Sequence, residues 1–223
     1  MCHKVEKKYY FAAGHTADGF VNFLSSNVEG FHTIYILKHP SVNIKTKFLK
    51  AIIKHLEKNE KLEVLLSAYS QDDIEGIVLR SKRIAVSSDV INPGQLTNSV
   101  VIDLRREQIE TEEIEKRRND EYAKAYHHLE KGLSIHDDLE HIYIREMDFN
   151  KADLLAESFI NELLQEVSPD VDATIYRRML GTNTANGSIN IIPQLIKNIE
   201  KRVYIKGRAG TGKSVFMNKV AKA

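Results

Sequence analysis

The spacing of apolar and polar residues divides the first part of the chain into short strands and one helix. Apolar residues within 45–58 recur every three to four positions, which predicts an amphipathic helix. Strands are predicted at the short apolar runs on either side of it, Thr33–Lys38, Leu62–Ala68, Arg83–Ser87 and Ser99–Leu104. Strands that alternate with helices predict an α/β fold with a mostly parallel sheet covered on both faces.

The pattern becomes helical between Arg105 and about Val167. Aromatic and leucine side chains between 122 and 163 recur three or four positions apart, and the stretch 105–119 is dense in glutamate and arginine. Such a charged run is typical of a solvated helix face rather than of a binding patch. We expect a helical appendage over about 105–167, ended by Ser168-Pro169-Asp170.

A glycine-rich loop is the most specific motif in the chain. Residues 207–214 read Gly-Arg-Ala-Gly-Thr-Gly-Lys-Ser, a complete G-x-x-x-x-G-K-[ST] pattern, which is the fingerprint of a phosphate-binding P-loop. Lys213 would reach the β- and γ-phosphates of a nucleotide, and the Ser214 hydroxyl would bind Mg²⁺. The predicted binding residues are Gly207, Ala209, Gly210, Thr211, Gly212, Lys213 and Ser214.

The flanking residues fit this interpretation. Val203–Ile205 is predicted as a short buried strand before the loop, and the residues from Ser214 onward as the opening turns of a helix. A strand, a loop and a helix in this order place an anion at a helix N-terminus, where free amides and the helix dipole stabilise it.

The same unit occurs twice in the chain. A shift of 168 positions (207 − 39) aligns residues 9–54 with 177–222 without a gap. His15-Thr-Ala-Asp-Gly falls on Asn183-Thr-Ala-Asn-Gly, and Lys45-Thr46 falls on Lys213-Ser214. The repeat predicts two domains: 1–168, a degenerate P-loop-like α/β domain with the helical insertion, and 169–223, the truncated start of a second P-loop domain.

The first copy of the loop has lost its glycines. Residues 39–46 read His-Pro-Ser-Val-Asn-Ile-Lys-Thr, so only the lysine and the hydroxyl are kept. Glycine allows the backbone to approach a phosphate closely, whereas proline removes a donor and β-branched residues are stiff. We interpret this loop as a former phosphate site kept for architecture; the alternative is a weak anion site that uses Lys45 alone.

Composition narrows the class of protein. The net charge is +1 with both signs interspersed, which argues against a dedicated nucleic-acid surface. The one cysteine, Cys2, excludes a disulfide framework within the chain, and no apolar run reaches the length of a membrane span. We expect a cytoplasmic protein without membrane association, and the helical segment is the candidate surface for self-association or a protein partner.

Other candidate sites are weaker. Asp72, Asp73 and Glu75 follow the second predicted strand, and Ser87-Ser88-Asp89 ends the third, where an acidic residue would hold Mg²⁺ in an intact P-loop domain. The pairs and clusters of histidine at His127-His128 and His136–His141 suggest a metal site only faintly, because they lack cysteine partners. Tyr9-Tyr10-Phe11 could stack on a base, but core packing is favoured.

Three segments resemble a family of bacterial two-domain P-loop ATPases, often labelled nucleotide-kinase-like and without an established substrate. They are Gly14-His-Thr-Ala-Asp-Gly-Phe20, the run from Ser134 to Phe149, and Arg178-Met-Leu-Gly-Thr-Asn-Thr-Ala185. The resemblance covers the first domain and only the front of the second. It implies a P-loop fold and binding of ATP or GTP, although residues 39–44 and 87–89 depart from the family's pattern.

Three functions follow as expectations. The first is a nucleotide-binding P-loop protein that acts as an ATPase when full length. The alternatives are a nucleotide or small-molecule kinase, and a non-catalytic scaffold or regulator that uses its helical appendage. Because no acidic strand follows the loop within these 223 residues, we expect the chain as given to have no meaningful ATPase activity.

Overall fold

The computed structural model describes residues 7–94, 96–105, 112–164, 175–184, 186–208 and 210–222. Two compact units are formed within them, one by residues up to 126 together with 175–199, the other by 127–174 together with 200–223. The domain boundary predicted near Ser168 falls outside the described residues.

The first unit is built on a mixed sheet. Its strands in the described residues are β1 (Lys7–Tyr10), β4 (Thr33–Lys38), β5 (Leu62–Leu66), β6 (Ile74–Leu79), β7 (Ile84–Ser88) and β8 (Ser99–Asp103), with a separate hairpin of β2 (Ala13–Thr16) and β3 (Gly19–Asn22). The strand order is β1-β5-β6-β7-β4-β8. Only β6 of these six runs against its neighbours, so the predicted α/β class and mostly parallel sheet are confirmed.

The α-helices in the described part of the chain follow the same order as the sequence patterns. They are α1 (Leu24–Asn27), α2 (Val42–Leu56), α3 (Glu112–Arg145), α4 (Phe149–Leu164), α5 (Ile192–Leu195) and α6 (Lys213–Lys222), and a further hairpin of β9 (Gly181–Thr184) and β10 (Gly187–Asn190) precedes α5. The helix predicted at 45–58 is α2, and the helical segment predicted over 105–167 contains α3 and α4.

Two apolar clusters cover the two faces of the sheet. Successive residues of a strand point to opposite faces, and accordingly Ile36 belongs to one cluster while Leu37 belongs to the other. The second cluster includes Leu49 of α2, so this helix covers one face. The first cluster includes Tyr10 and Phe11, both about fully buried, which confirms core packing as their role.

The aligned repeats have the same backbone structure in their hairpin and in the short helix that follows it. Adding 168 to the bounds of β2, β3 and α1 gives the bounds of β9, β10 and α5. The hydrogen bonds recur too: the Thr16 hydroxyl donates to the Gly19 carbonyl over 3.1 Å, and the Thr184 hydroxyl donates to the Gly187 carbonyl over 2.9 Å. Both turn glycines have positive φ, 97° and 113°, and a left-handed turn of this kind favours glycine.

The second hairpin packs in the first unit beside the first hairpin. The Met179 amide donates to the Phe11 carbonyl over 3.0 Å, and the Arg178 guanidinium lies 4.1 Å from the centre of the Tyr10 ring. Burial alone would raise the pKa of the Glu63 carboxyl, but hydrogen bonds from Arg80 and Tyr10 lower it below its usual range. This charged, aromatic cluster therefore keeps Glu63 ionised beneath the hairpin.

Candidate functional site

The predicted phosphate loop leads directly into α6 in the second unit. This helix begins at Lys213, one residue before the predicted start, and its first hydrogen bond runs from the Phe216 amide to the Gly212 carbonyl over 2.9 Å. The first amides of an α-helix have no partner within the helix. Lys213 and Ser214 therefore present their N–H groups at the end of the loop, and Ala209 lies outside the described residues.

Two glycines of the loop are needed for its backbone conformation, and a third lies close to neighbouring side chains. Gly210 and Gly212 have positive φ, 71° and 72°, which disfavours any residue with a Cβ. A Cβ on Gly210 would also lie 2.7 Å from Cβ of Tyr143. A Cβ on Gly207 would lie 2.5 Å from the Thr211 hydroxyl oxygen, so the Thr211 side chain would have to shift.

Lys213 folds back onto the loop that precedes it. Its Nζ donates to the Arg208 carbonyl over 2.5 Å and lies 3.5 Å from the Thr211 hydroxyl oxygen. The Thr211 hydroxyl donates to the same Arg208 carbonyl over 2.7 Å. Both acceptors are neutral, so an anionic ligand would compete for the ammonium with a charge-assisted hydrogen bond.

A cavity of about 550 Å³ borders this loop within the second unit. Its lining joins the loop to α4 and α6: Ala152, Leu155, Phe159, Val203, Ile205, Lys206, Gly207, Thr211, Gly212, Lys213 and Phe216. The described lining is apolar apart from two lysines, one threonine and the glycine backbone. It contains no acidic residue, so it offers positive charge without a carboxylate for a metal ion.

Contacts with α4 hold α6 in place. The rings of Phe159 and Phe216 have centroids 5.5 Å apart, and Lys219 forms an ion pair with Asp153. These contacts fix the helix whose N-terminus carries Lys213 and Ser214.

The prediction of a strand directly before the loop is wrong. Val203, Tyr204 and Ile205 lie outside any strand and are 53%, 67% and 36% exposed. In the first copy the equivalent strand, β4, is hydrogen-bonded on one side to β7 and on the other to β8. No strand among the described residues takes these places beside 203–205, and an apolar run needs such neighbours to pair as a strand.

The first copy of the loop is closed by a salt bridge. Lys45 lies in the first turn of α2, is only 2% exposed, and pairs its ammonium with the carboxylate of Asp89 at the end of β7. The sequence singled out both residues, and the fold brings them together. The Asp89 carboxylate thus takes the place at Lys45 that a phosphate would need, which agrees with the interpretation of a loop kept for architecture.

The hydroxyl kept in the first loop is also bonded within the protein. The Thr46 hydroxyl donates to the Asp73 carboxylate over 3.2 Å and accepts from the Ile74 amide over 3.1 Å. The strand β6 begins at Ile74. Thr46 therefore connects α2 to the sheet, and its hydroxyl both donates and accepts a hydrogen bond there.

Sequence reasoning missed β6, an interior strand of the sheet. Glu75 lies in β6 and is 1% exposed, and Ser67 donates to its Oε1 over 2.9 Å. Burial raises the pKa of the Glu75 carboxyl, and hydrogen bonds from Ser88 and Ser67 only partly oppose the rise. Its Oε2 has no hydrogen-bond partner among the described residues, so the carboxyl is a buried acid next to the closed loop rather than an exposed catalytic group.

The histidine clusters do not form a convincing metal centre. His136, Asp137 and Glu140 could each place one ligand atom within 4.8 Å of the others on α3. The side chains of His136 and Asp137 are each about half exposed, and His141 Nδ1 lies 2.7 Å from the Asp137 carbonyl oxygen. His127 Nδ1 lies 4.0 Å from a carboxylate oxygen of Glu130, and both side chains are exposed to solvent.

Comparison with known protein families, with curated proteins and with solved structures finds no match for this chain. Among the helices that the structure describes, none combines the length and the apolar character needed to cross a lipid bilayer.

Proposed function

We propose that this protein binds a nucleoside triphosphate, ATP or GTP, together with Mg²⁺, through the loop Gly207–Ser214. The observation that carries the proposal is a glycine-rich loop, left-handed at Gly210 and Gly212, that runs into the N-terminus of a ten-residue helix. This geometry suits a phosphate, because backbone amides and the helix dipole both favour an anion there.

The parts of the loop have separate roles in this proposal. The amides of Gly210–Ser214 would surround the phosphate chain. The Lys213 ammonium would exchange its hydrogen bond to the Arg208 carbonyl for one to the β- and γ-phosphates. The exposed Ser214 hydroxyl would bind Mg²⁺. The class that we propose is a P-loop nucleotide-binding protein of the cytoplasm. No feature of the described residues favours phosphoryl transfer to an acceptor over hydrolysis, so the proposal is confined to binding.

A specific observation supports a non-catalytic role for the first copy of the motif. Its lysine and its hydroxyl are both held by carboxylates, Lys45 by Asp89 and Thr46 by Asp73. We therefore propose that the first unit is a pseudo-domain that does not bind triphosphate through its own loop.

Calorimetric titration of MgATP into the wild type and Lys213→Ala tests the proposal. Charge-assisted hydrogen bonds contribute about 1.5–3 kcal/mol each, so the variant should bind about 10- to 100-fold more weakly. Lys222→Ala is the matched control, because it removes the same charge from an exposed position on the same helix. Equal affinity of wild type and Lys213→Ala, or no saturable binding by the wild type, would overturn the proposal.

A further inference from the structure

A second cavity, of about 550 Å³, lies in the first unit and is walled largely by aromatic rings. Its lining residues are Phe20, Val42, Tyr69, Val90, Arg118, Asn119, Tyr122, Ala123 and Tyr126. Val42 lies within the closed loop and is the first residue of α2, and Val90 follows Asp89. The cavity therefore borders the closed loop at the edge of the sheet where parallel strands end, a common place for ligands in α/β folds.

The aromatic wall is held together by ring contacts around His15. The His15 ring stacks on Tyr122 with centroids 5.2 Å apart and meets Tyr69 edge-on at 4.8 Å. Phe20 lies 5.1 Å from His15 and 5.6 Å from Tyr69. Because β2, β3, the loop after β5 and α3 all contribute rings, the wall is preorganised by four separate segments of the fold.

The polar groups of this wall are neutral inside and positive at the rim. Burial lowers the pKa of His15, whose Nδ1 lies 2.8 Å from the Tyr126 hydroxyl and whose buried Nε2 has no hydrogen-bond partner among the described residues. Burial also raises the pKa of the Tyr69 and Tyr122 hydroxyls, which keeps both protonated. Among the lining residues that the structure describes, Arg118 is the charged one, and its side chain is exposed.

We propose that this cavity binds a planar aromatic ring that carries one anionic group, the chemistry of a nucleoside monophosphate or of an aromatic acid. The ring stacks against the tyrosines, since flat π-systems are recognised by aromatic side chains without base-specific contacts. The anionic group meets Arg118 at the rim. An aromatic cage can also bind a quaternary ammonium, but the arginine at this rim opposes a cation.

The site is separate from the loop Gly207–Ser214. Its residues all precede 127 and belong to the first unit, whereas the loop belongs to the second. A monophosphate lacks the β- and γ-phosphates that Lys213 would bind. Loss of monophosphate binding and loss of triphosphate binding are therefore independent results.

Fluorescence titration with 1,N6-ethenoadenosine 5′-monophosphate tests the proposal on the full chain. We expect saturable binding that falls by roughly tenfold or more in Tyr122→Leu, which keeps an apolar side chain but removes the ring, and that stays within about threefold in Tyr122→Phe. Lys213→Ala should bind this probe as the wild type does. Circular dichroism on each variant verifies that it is folded.

Arginine variants on α3 provide the charge test. Arg118→Gln should weaken binding by about tenfold and reduce its salt dependence, because a contact with an anion is removed. Arg117→Gln loses the same charge one position away, outside the cavity lining, and should bind as the wild type does. Competition with AMP and with indole-3-acetate then distinguishes a nucleotide from a simple aromatic acid.

Three results would overturn the proposal. The first is no saturable binding of the etheno probe and none of indole-3-acetate at millimolar concentration. The second is equal affinity of the wild type and a folded Tyr122→Leu variant. The third is displacement of the probe by tetramethylammonium at lower concentration than by AMP, which would assign the cage to a cation.

Discussion

At the scale of single residues, the two equivalent lysines have opposite environments. Lys45 is buried and pairs with a carboxylate, whereas Lys213 lies partly exposed on two neutral oxygens. An ammonium held by a carboxylate is costly to detach, whereas one held by a carbonyl can exchange it for a phosphate. The same residue type at the same place in the repeat is therefore structural in one copy and available in the other.

Removing the buried charge of the first loop should destabilise the fold without affecting nucleotide binding. Deleting one partner of a buried ion pair costs about 3–5 kcal/mol; because the Asp89 side chain is 32% exposed, we expect about 2–3 kcal/mol for Lys45→Met. Urea denaturation measures this loss. The double variant Lys45→Met/Asp89→Asn should regain part of it, and an additive double loss would show that the two residues do not interact.

The buried acid in β6 should make stability depend on pH. The pKa of Glu75 is raised by burial, so the folded state binds this proton more tightly than the unfolded state. Its contribution is most favourable below the unfolded pKa and is lost as pH rises through the folded pKa. The unfolding free energy of Glu75→Gln minus that of the wild type should therefore grow as the pH rises above the usual titration range of a glutamate carboxyl.

Denaturation curves of both proteins at several pH values give this difference, in which the other titrating groups largely cancel. Gln retains an oxygen to accept from Ser67, so the hydrogen bond is matched. A difference that is constant with pH, or that shrinks as pH rises, would contradict the assignment of Glu75 as the titrating group.

At the scale of elements, the sequence predicted strands where apolar runs are uninterrupted. Thr33–Lys38 is β4 with the predicted bounds, and the three further strands predicted between 62 and 104 agree within two residues at each end, whereas Val203–Ile205 is not a strand. The strand β6 was missed because Glu75 and Gly76 interrupt its apolar run. Gly76 is required by close packing, since a Cβ there would lie 2.7 Å from the Val86 carbonyl oxygen, and this contact exists only once the sheet is assembled.

The candidate sites were predictable to different degrees. The glycine pattern of the second loop gave its residues directly, because the special backbone conformation is encoded locally. The pairing of Lys45 with Asp89 depends on residues 44 positions apart, and the aromatic cavity combines residues from Phe20 to Tyr126. Periodicity identified Tyr122 and Tyr126 as one helix face, but the contact of that face with His15 depends on tertiary packing.

The duplicated hairpin offers a test with a built-in control. Asn22 accepts from the Leu24 amide over 2.8 Å, and its equivalent Asn190 accepts from the Ile192 amide over 2.9 Å. Asn22 also donates to the Ile91 carbonyl over 2.8 Å. We expect Asn22→Ala to cost about 2 kcal/mol and Asn190→Ala about 1 kcal/mol, because only the former loses a second bond to a residue that the structure describes.

Thermal denaturation of the two variants under identical conditions ranks them. Equal losses would show that the bond to Ile91 contributes nothing. A larger loss of stability for Asn190→Ala than for Asn22→Ala would contradict the expectation that Asn22, with its additional bond to Ile91, contributes more to stability.

At the scale of the whole molecule, one chain carries two aligned copies of a sequence unit whose loops differ. The first copy has a sheet around its loop but has filled the loop with its own side chains. The second has kept the glycines and the helix N-terminus. The central claim is that triphosphate binds to the second loop and not to the first.

Hydrogen–deuterium exchange with mass spectrometry, with and without saturating MgATP, tests this claim most directly. The account predicts that MgATP slows exchange in peptides that cover 207–218 and leaves exchange in peptides that cover 39–50 unchanged. The same experiment on Lys213→Ala at equal MgATP should show little protection of 207–218. Protection of 39–50 in the wild type, with 207–218 unaffected, would contradict the account.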